Sequence, residues 1–209
     1  MTLRDEAVEL LRRLLRLDTS NPPGNETAAA ELLRAYLEAN GVACELVARD
    51  PARANLVARL PGTGGGPSLM LLGHTDVVPA VAEDWSRPPF GGELDDEGYV
   101  WGRGAVDMKN EVATRAVAIA HLARSGWRGS GDLLFVAVAD EEDGSEGAGM
   151  RWLVEARPDL ATDYVVNEGA AERLELACSP PSPSGRRARR RRGSPRTARR
   201  DRAPCPARA

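Results

Sequence analysis

The chain has 209 residues and a hydrophobic fraction of 42%, which is enough for one sizeable buried core. Its net charge of −3 is unevenly distributed: residues 186–209 contain eleven arginines and one acid, a charge of +10, which leaves −13 on the other residues. The sequence has no apolar run of membrane-spanning length, no signal-peptide pattern at its start and no CxxC pair among its three cysteines. These features argue against a membrane protein or a disulfide-stabilised secreted domain, and we expect a cytoplasmic location.

Two helices are predicted at the start of the chain. Thr2 followed by Asp5 is a typical helix start, and the apolar stripe after it predicts a helix that ends near Asp18. The segment SNPPGNE interrupts this pattern. A second helix is expected from about residue 27 to residue 40, where an Asn-Gly pair is a typical left-handed exit.

The remaining body of the chain alternates between predicted strands and helices. Five short runs rich in Val and Leu predict strands, namely CELVA, NLVARL, SLMLLG, DLLFVAVA and DYVVNE. Helices are expected from Asp107 to Gly126 and over residues 149–156. Residues 77–104 are rich in glycine and proline, and we expect them to form a long loop over the rim of a sheet. The alternation predicts an α/β fold in three layers, with a largely parallel sheet flanked by helices.

The composition changes at about residue 171. Residues 171–209 have no apolar period, many prolines and a dense positive charge, so we expect this tail to be disordered. An out-of-frame stretch of a GC-rich gene would explain such a composition. The alternative is a functional tail whose RRARRRR tract binds polyanions or nucleic acids by releasing counterions from phosphates, without a specific nucleic-acid partner.

One histidine and five acidic residues stand where hydrophobic runs end or a helix begins: His74, Asp76, Asp107, Glu141, Glu142 and Glu168. Ligands of open α/β sheets gather at the carboxyl ends of strands, so one sheet edge could collect this set. Because residues two apart in a strand face the same side, Asp76 could reach the ring nitrogen of His74 that does not bind metal. Asp107 could bridge two cations, and of two adjacent glutamates one could address a metal and the other a water. Such a donor set suits zinc, with manganese or cobalt as substitutes.

Each of these residues also has a simpler interpretation when it is taken alone. An acid at a strand end is usually a solvated loop residue, and His74 could be a structural histidine. The segment from Glu142 to Gly144 could be an ordinary turn. Taken together, however, the simple interpretation requires five independent coincidences of residue type and position. His121, by contrast, is expected to be a surface or packing residue of its helix, and the tryptophans of the rim loop are expected to anchor that loop.

The motifs GHTDVVP, PPFGGELDDEGYVWGRGAVDMK, ADEED and NEG, in this order, resemble the M20 metallopeptidases, the group of acetylornithine deacetylase, succinyl-diaminopimelate desuccinylase and glutamate carboxypeptidase. The resemblance covers about residues 3–170. It implies a zinc-peptidase-like catalytic domain with two zinc ions, which hydrolyses amide bonds in N-acyl amino acids or small peptides. It also implies a homodimer.

The resemblance also implies a role for each candidate residue. Four side chains would bind zinc, namely His74, Asp107, Glu142 and Glu168. Asp107 would bridge the two ions, Asp76 would orient His74, and Glu141 would act as the general base. The family also uses a later histidine on the second zinc and an inserted dimerisation domain, and neither is present in this sequence. We therefore expect residues 1–170 to form a partial catalytic domain, truncated after the fifth metal-site motif, with weak or absent activity.

Overall fold

The computed structural model of the protein describes residues 1–144 and 147–168. The predictions for residues 171–209, including disorder and polyanion binding, lie outside the described residues. The α-helices in this part of the chain are α1 Leu3–Leu15, α2 Thr27–Glu38, α3 Lys109–Arg124 and α4 Met150–Ala156. The strands among the described residues are β1 Ala43–Val47, β2 Asn55–Leu60, β3 Leu69–His74, β4 Glu93–Leu94, β5 Val100–Trp101, β6 Leu133–Val138 and β7 Tyr164–Val166. All five predicted strands and all four predicted helices are present.

Five strands form the main sheet, in the order β1-β2-β6-β3-β7. Strands β6, β3 and β7 are parallel neighbours, whereas β2 is antiparallel to both β1 and β6. All strands of this sheet except β2 therefore run in the same direction, and the predicted α/β fold with a largely parallel sheet is confirmed. The three parallel strands end at the same edge, which is the edge where ligands bind in open α/β sheets.

Apolar side chains fill both faces of this sheet, which gives the three predicted layers. Strand β6 is buried along its whole length, and its side chains alternate between the two faces. The larger cluster joins one face to α1, α2 and α3 through residues that include Leu14, Leu33, Val112 and Phe135. The smaller cluster joins the other face to α4 through residues that include Met70, Val136 and Leu153. No helix in the described part of the chain is both long and apolar enough to cross a membrane.

Helix α1 begins as predicted but ends earlier than expected. Thr2 and Asp5 form a reciprocal capping box, with hydrogen bonds of 3.0 and 3.2 Å. The helix ends at Leu15 instead of near Asp18. The reason lies in Lys109, whose buried ammonium group donates to the carbonyl oxygens of Leu14 (3.1 Å) and Leu17 (2.9 Å). These carbonyls are satisfied by a side chain, so the helix need not continue.

The rim segment, residues 77–104, contains more regular structure than the expected loop. A 3-10 turn over Ala82–Asp84 is followed by a small hairpin of β4 and β5. The Asp95 carboxylate organises the hairpin turn, because it accepts hydrogen bonds from the amides of Glu97 and Tyr99 and from the indole of Trp101. Hydrogen bonds between a side chain and nearby backbone amides produce no hydrophobic periodicity, so the sequence pattern did not indicate this hairpin.

Candidate metal centre

Three neighbouring strands carry predicted ligands to the same sheet edge. His74 is the last residue of β3 and pairs with Val138, the last residue of β6. Glu141 and Glu142 follow β6, and Glu168 follows β7. Since β6, β3 and β7 are adjacent and parallel, these residues converge at one end of the sheet. The prediction of a common edge was correct.

The His74 ring is buried, with 2% exposure, and its two nitrogens have different surroundings. Nδ1 lies 3.0 Å from the backbone oxygen of Asp76 and 3.3 Å from its carboxylate. Nε2 lies 3.1 Å from Asp107, 3.4 Å from Glu168 and 3.8 Å from Glu141. Asp76 thus fixes the orientation of the ring through one nitrogen and leaves the other facing three carboxylates.

Asp76 also connects the histidine to the acidic pair that follows β6. Its carboxylate is fully buried and accepts hydrogen bonds from the backbone amides of Glu141 (3.2 Å) and Glu142 (3.0 Å). Asn21 donates a further hydrogen bond of 2.9 Å. Burial alone would raise the pKa of Asp76, but the bonds from His74, Asn21 and the two amides outweigh burial and lower it. Asp76 is therefore held as a carboxylate beneath the cluster.

The four other carboxylates lie nearer to solvent. The side chains of Asp107 and Glu141 are 57% and 54% exposed, and that of Glu168 is 32% exposed. Two sets of potential ligand atoms lie within 4.8 Å of one another: His74, Asp107 and Glu142 form one, and His74, Glu141 and Glu168 form the other. These sets contain five of the residues predicted from the sequence, and the sixth, Asp76, contacts His74, so all six are brought together. Their individual roles stay predictions.

The electrostatics of the cluster suit a cation. Burial and the negative charge of Asp107 raise the pKa of Glu142 and that of Glu168 above the usual range for a glutamate. Burial would lower the pKa of His74, but the hydrogen bond and charge of Asp76 raise it to about 9. A set of one imidazole and several carboxylates around such a concentration of negative charge fits a divalent ion of the zinc, manganese or cobalt type.

Sequence reasoning missed a buried polar network beneath the cluster, formed by Asn21, Glu26, Arg53 and Asp140. The guanidinium of Arg53 donates to Glu26 at 2.6 and 3.0 Å and lies 3.2 Å from Asp140. Asn21 donates to Asp140 at 3.1 Å. Asn21, Glu26 and Arg53 lie in segments without a strand pattern, and SNPPGNE was interpreted only as a helix break. Asp140 directly follows the predicted strand DLLFVAVA, but only the two glutamates after it were predicted to be site residues. His121 is exposed on α3 and belongs to neither ligand set, as predicted.

Comparison with known proteins identifies the family. Residues 70–188, more than half of the chain, match the sequence profile of Peptidase family M20/M25/M40. The chain belongs to this family. The resemblance inferred from the sequence motifs is therefore confirmed, and the matched region begins within β3, just before His74.

The relatives are longer than this chain. Aminoacylase-1 from Sus scrofa is 36% identical over 169 residues, which cover 79% of this chain and 41% of the relative. Succinyl-diaminopimelate desuccinylase from Bradyrhizobium sp. (strain ORS 278) is 40% identical over 144 residues, 66% of this chain and 36% of the relative. The chain spans about two fifths of the length of these curated relatives.

A solved structure shows the same fold. The M20 family metallo-carboxypeptidase Sso-CP2 from Sulfolobus solfataricus is similar with a TM-score of 0.67 and 24% sequence identity. The similarity covers 79% of this chain and 38% of that chain. It supports the arrangement of a mixed, mostly parallel sheet with helices on both faces.

Proposed function

We propose that this chain carries a metal-dependent hydrolase centre that cleaves amide bonds in N-acyl amino acids or small peptides, with two zinc ions as the natural cofactor. The proposal rests above all on His74, a buried ring whose Nδ1 is fixed by Asp76 while its Nε2 faces three carboxylates. A purely structural histidine has no need of so many acidic neighbours. The names of two relatives, an aminoacylase and a desuccinylase, support acylated amino acids as substrates.

Four side chains would hold the ions in this proposal, namely His74, Asp107, Glu142 and Glu168. Asp107, two residues before α3, would bridge the two positions, because its largely exposed carboxylate has two oxygens and one of them lies 3.1 Å from His74 Nε2. When bound, the ions would polarise the substrate carbonyl and lower the pKa of water enough for attack at neutral pH. Cobalt or manganese would substitute for zinc in the same donor set.

Glu141 is the side chain best placed to move protons. Its backbone amide is held by Asp76, whereas its carboxylate is exposed and lies 3.8 Å from His74 Nε2. A glutamate fixed at its backbone but free at its carboxylate can accept a proton from the attacking water and deliver it to the leaving amine. The buried Asp76 cannot do this, because all its acceptor positions are directed to the protein.

Turnover and metal binding can be separated experimentally. The 209-residue chain, loaded with zinc, would be assayed against N-acyl amino acids and dipeptides. We expect Glu141→Gln to retain zinc and to lower kcat at least about 100-fold, because general-base catalysis contributes effects of that size. Glu155→Gln, an exposed change on α4, is the matched control and should leave both quantities unchanged.

Two outcomes would contradict the proposal. If calorimetry detects no zinc binding at micromolar concentrations, the proposed metal site is wrong. If Glu141→Gln hydrolyses the substrates as fast as wild type, Glu141 is not the general base. The weak activity expected from the sequence stays a prediction, and the rate of the unmodified chain in the same assay tests it.

A further inference from the structure

Asn21 lies between two buried carboxylates. Its Nδ2 group donates to Asp76 Oδ2 at 2.9 Å and to Asp140 Oδ1 at 3.1 Å. Asn21, Asp76 and Asp140 are all buried, with exposures of 2%, 0% and 6%. One neutral amide group therefore supplies both of its protons to two negative charges that face each other in the interior.

The amide oxygen of Asn21 indicates that the residue serves as a donor. Its Oδ1 atom is buried and has no hydrogen-bond partner among the described residues. An unpaired buried acceptor destabilises a fold, so the amide is explained by its two donated protons. Its backbone is also fixed, because the Asn21 amide donates to Val77 O at 2.9 Å and the Val77 amide donates to Thr19 O at 3.1 Å.

The two carboxylates hold two separate parts of the chain after β6. Asp76 accepts the backbone amides of Glu141 and Glu142, and Asp140 accepts the backbone amide of Ala148 at 3.1 Å. Asp140 also has a φ of +58°, the only positive value among the described non-glycine residues. A non-glycine residue in this region needs support from its surroundings. Asn21 is one of the groups that supply this support.

Charge makes this bridge necessary. Three buried carboxylates, those of Glu26, Asp76 and Asp140, lie in this network with only one guanidinium, that of Arg53. Arg53 donates to Glu26 and contacts Asp140, while the donors around Asp76 are His74, Asn21 and the amides of Glu141 and Glu142. Without the Asn21 donor, Asp76 and Asp140 would repel each other across a region of low dielectric constant.

We propose that Asn21 is a positioning residue, which holds the Glu141–Glu142 turn against Asp76 and thereby fixes both glutamates relative to His74. The effect on metal affinity rests on the proposed function; the effect on the turn does not. Asn21 touches neither substrate nor metal in this scheme. It acts through the carboxylates of Asp76 and Asp140.

The first experiment measures the turn directly in the metal-free 209-residue chain. Amide hydrogen exchange by NMR would be compared among wild type, Asn21→Ala, Asn21→Ser and Asn40→Ala. The exchange of the Glu141 and Glu142 amides should be about tenfold faster in N21A and intermediate in N21S, because a hydroxyl can donate to only one carboxylate. Asn40 also makes hydrogen bonds, since it donates to Tyr36 O and accepts from Arg124, but it lies outside this network, so N40A should leave both amides unchanged.

The second experiment measures zinc affinity by competition with a chromophoric chelator. N21A should weaken zinc binding about tenfold to a hundredfold, as expected for the loss of a residue that supports the ligands, whereas N40A should not. If Asn21 acts through Asp76, N21A should change the zinc dissociation constant less than about twofold in an Asp76→Ala background. The absorption spectrum of bound cobalt should also change in N21A, because displaced glutamates alter the ligand field. A loss of folding stability alone would leave this spectrum unchanged.

The outcomes separate this inference from the proposed function. Exchange of the two amides within about twofold of wild type in both Asn21 variants would overturn the positioning role. Equal losses of zinc affinity with and without Asp76 would overturn the pathway through Asp76. If wild type binds no zinc, the proposed function fails, and the exchange measurement alone decides the role of Asn21. N21S supplies that measurement even if N21A does not fold.

Discussion

His74 and Asp76 are almost completely buried, whereas Asp107 and Glu141, only a few ångströms from the same histidine ring, expose more than half of their side chains. The buried pair comes from the end of β3, an interior strand of the sheet, and the exposed residues come from turns and from a loop. The sheet thus fixes the position and orientation of one nitrogen ligand, while the carboxylates can adjust to a bound ion. Rigid support under adaptable ligands is a general requirement of metal sites.

The same contrast extends below and beside the centre. The Arg53–Glu26 pair is buried under the cluster, whereas the Arg59–Asp132 pair lies on the surface of the same sheet with both side chains more than a third exposed. Buried ionic groups depend on every partner they have, because water cannot replace a lost one. Exposed groups have water as an alternative partner. Four predictions use this difference.

The largest effect is expected at His74. His74→Ala removes the atom that both ligand sets share, so zinc affinity measured by calorimetry should fall more than about 100-fold. His121→Ala is the matched control, since this second histidine is exposed on α3 and belongs to neither set. Unchanged affinity in His74→Ala, or a comparable loss in His121→Ala, would show that the buried ring is not the anchor of the site.

The next effect concerns stability. Arg53→Met leaves the buried carboxylates of Glu26 and Asp140 without their guanidinium, and we expect a loss of about 3–5 kcal/mol in the free energy of unfolding. Arg59→Met breaks only the exposed pair with Asp132 and should cost less than about 1 kcal/mol. Urea denaturation of both variants provides the measurement. Similar losses in the two variants would contradict the contrast between buried and exposed pairs.

Lys109 is a buried ionisable group that makes the stability of the fold depend on pH. Burial lowers the pKa of its ammonium group to about 8, from 10.5 in the unfolded chain. Between these values the unfolded state binds more protons than the folded state, so this group should increase stability as the pH rises from about 8 to 10.5, by about 3 kcal/mol in all. Below pH 8 both states are protonated and the group adds no slope.

Urea unfolding of wild type and Lys109→Met over this pH range isolates the effect. The difference in unfolding free energy between the two proteins should widen with pH, because Lys109→Met lacks the titrating group. Lys109→Met should also be less stable throughout, since the two carbonyls at the end of α1 lose their donor. A difference that stays constant across the range would mean that the amine is not desolvated in the folded chain.

The smallest effect is expected at the Glu6–Arg124 pair, which joins α1 to α3 near the surface with a distance of 2.7 Å. The hydrogen bond from Arg124 lowers the pKa of Glu6, an effect that partial burial opposes. A lowered pKa means that the stabilisation is present above the ordinary value of 4.5 and is lost as the pH falls through the folded-state value. Glu6→Gln should therefore cost less than about 1 kcal/mol at neutral pH and almost nothing in acid. A loss that grows toward low pH would reverse the assigned sign.

The local signals in the sequence were sufficient for the four helices, for the five strands of the main sheet and for the convergence of the six candidate residues. The continuous apolar run of β6 is typical of a strand covered on both faces, and Thr2 with Asp5 gave the first residue of α1 correctly. The positions of His74 and Glu168 followed from their place after strands, because strand ends are where an α/β sheet collects ligands. Each of these features depends on neighbours in sequence.

The network under the site could not be predicted in this way. Asn21 and Asp140 are 119 positions apart and meet only because the loop before α2 packs beside the end of β3. In sequence, Arg53 has the appearance of a solvated loop residue, and only the fold shows that it is buried with Glu26. The early end of α1 has the same origin, since its cause, Lys109, lies more than 90 positions away.

Lys109 is the only lysine of the chain, and its ammonium group is buried at the junction of α1 and α3. Amine-reactive reagents require an accessible, uncharged amine, so the folded protein should leave this side chain unmodified. Acylation at Lys109 then reports on opening of that junction, and peptide mapping by mass spectrometry distinguishes it from acylation of the exposed N-terminal amine. Lys109 is thus a built-in chemical probe for separation of α1 from the start of α3, the segment that follows Asp107.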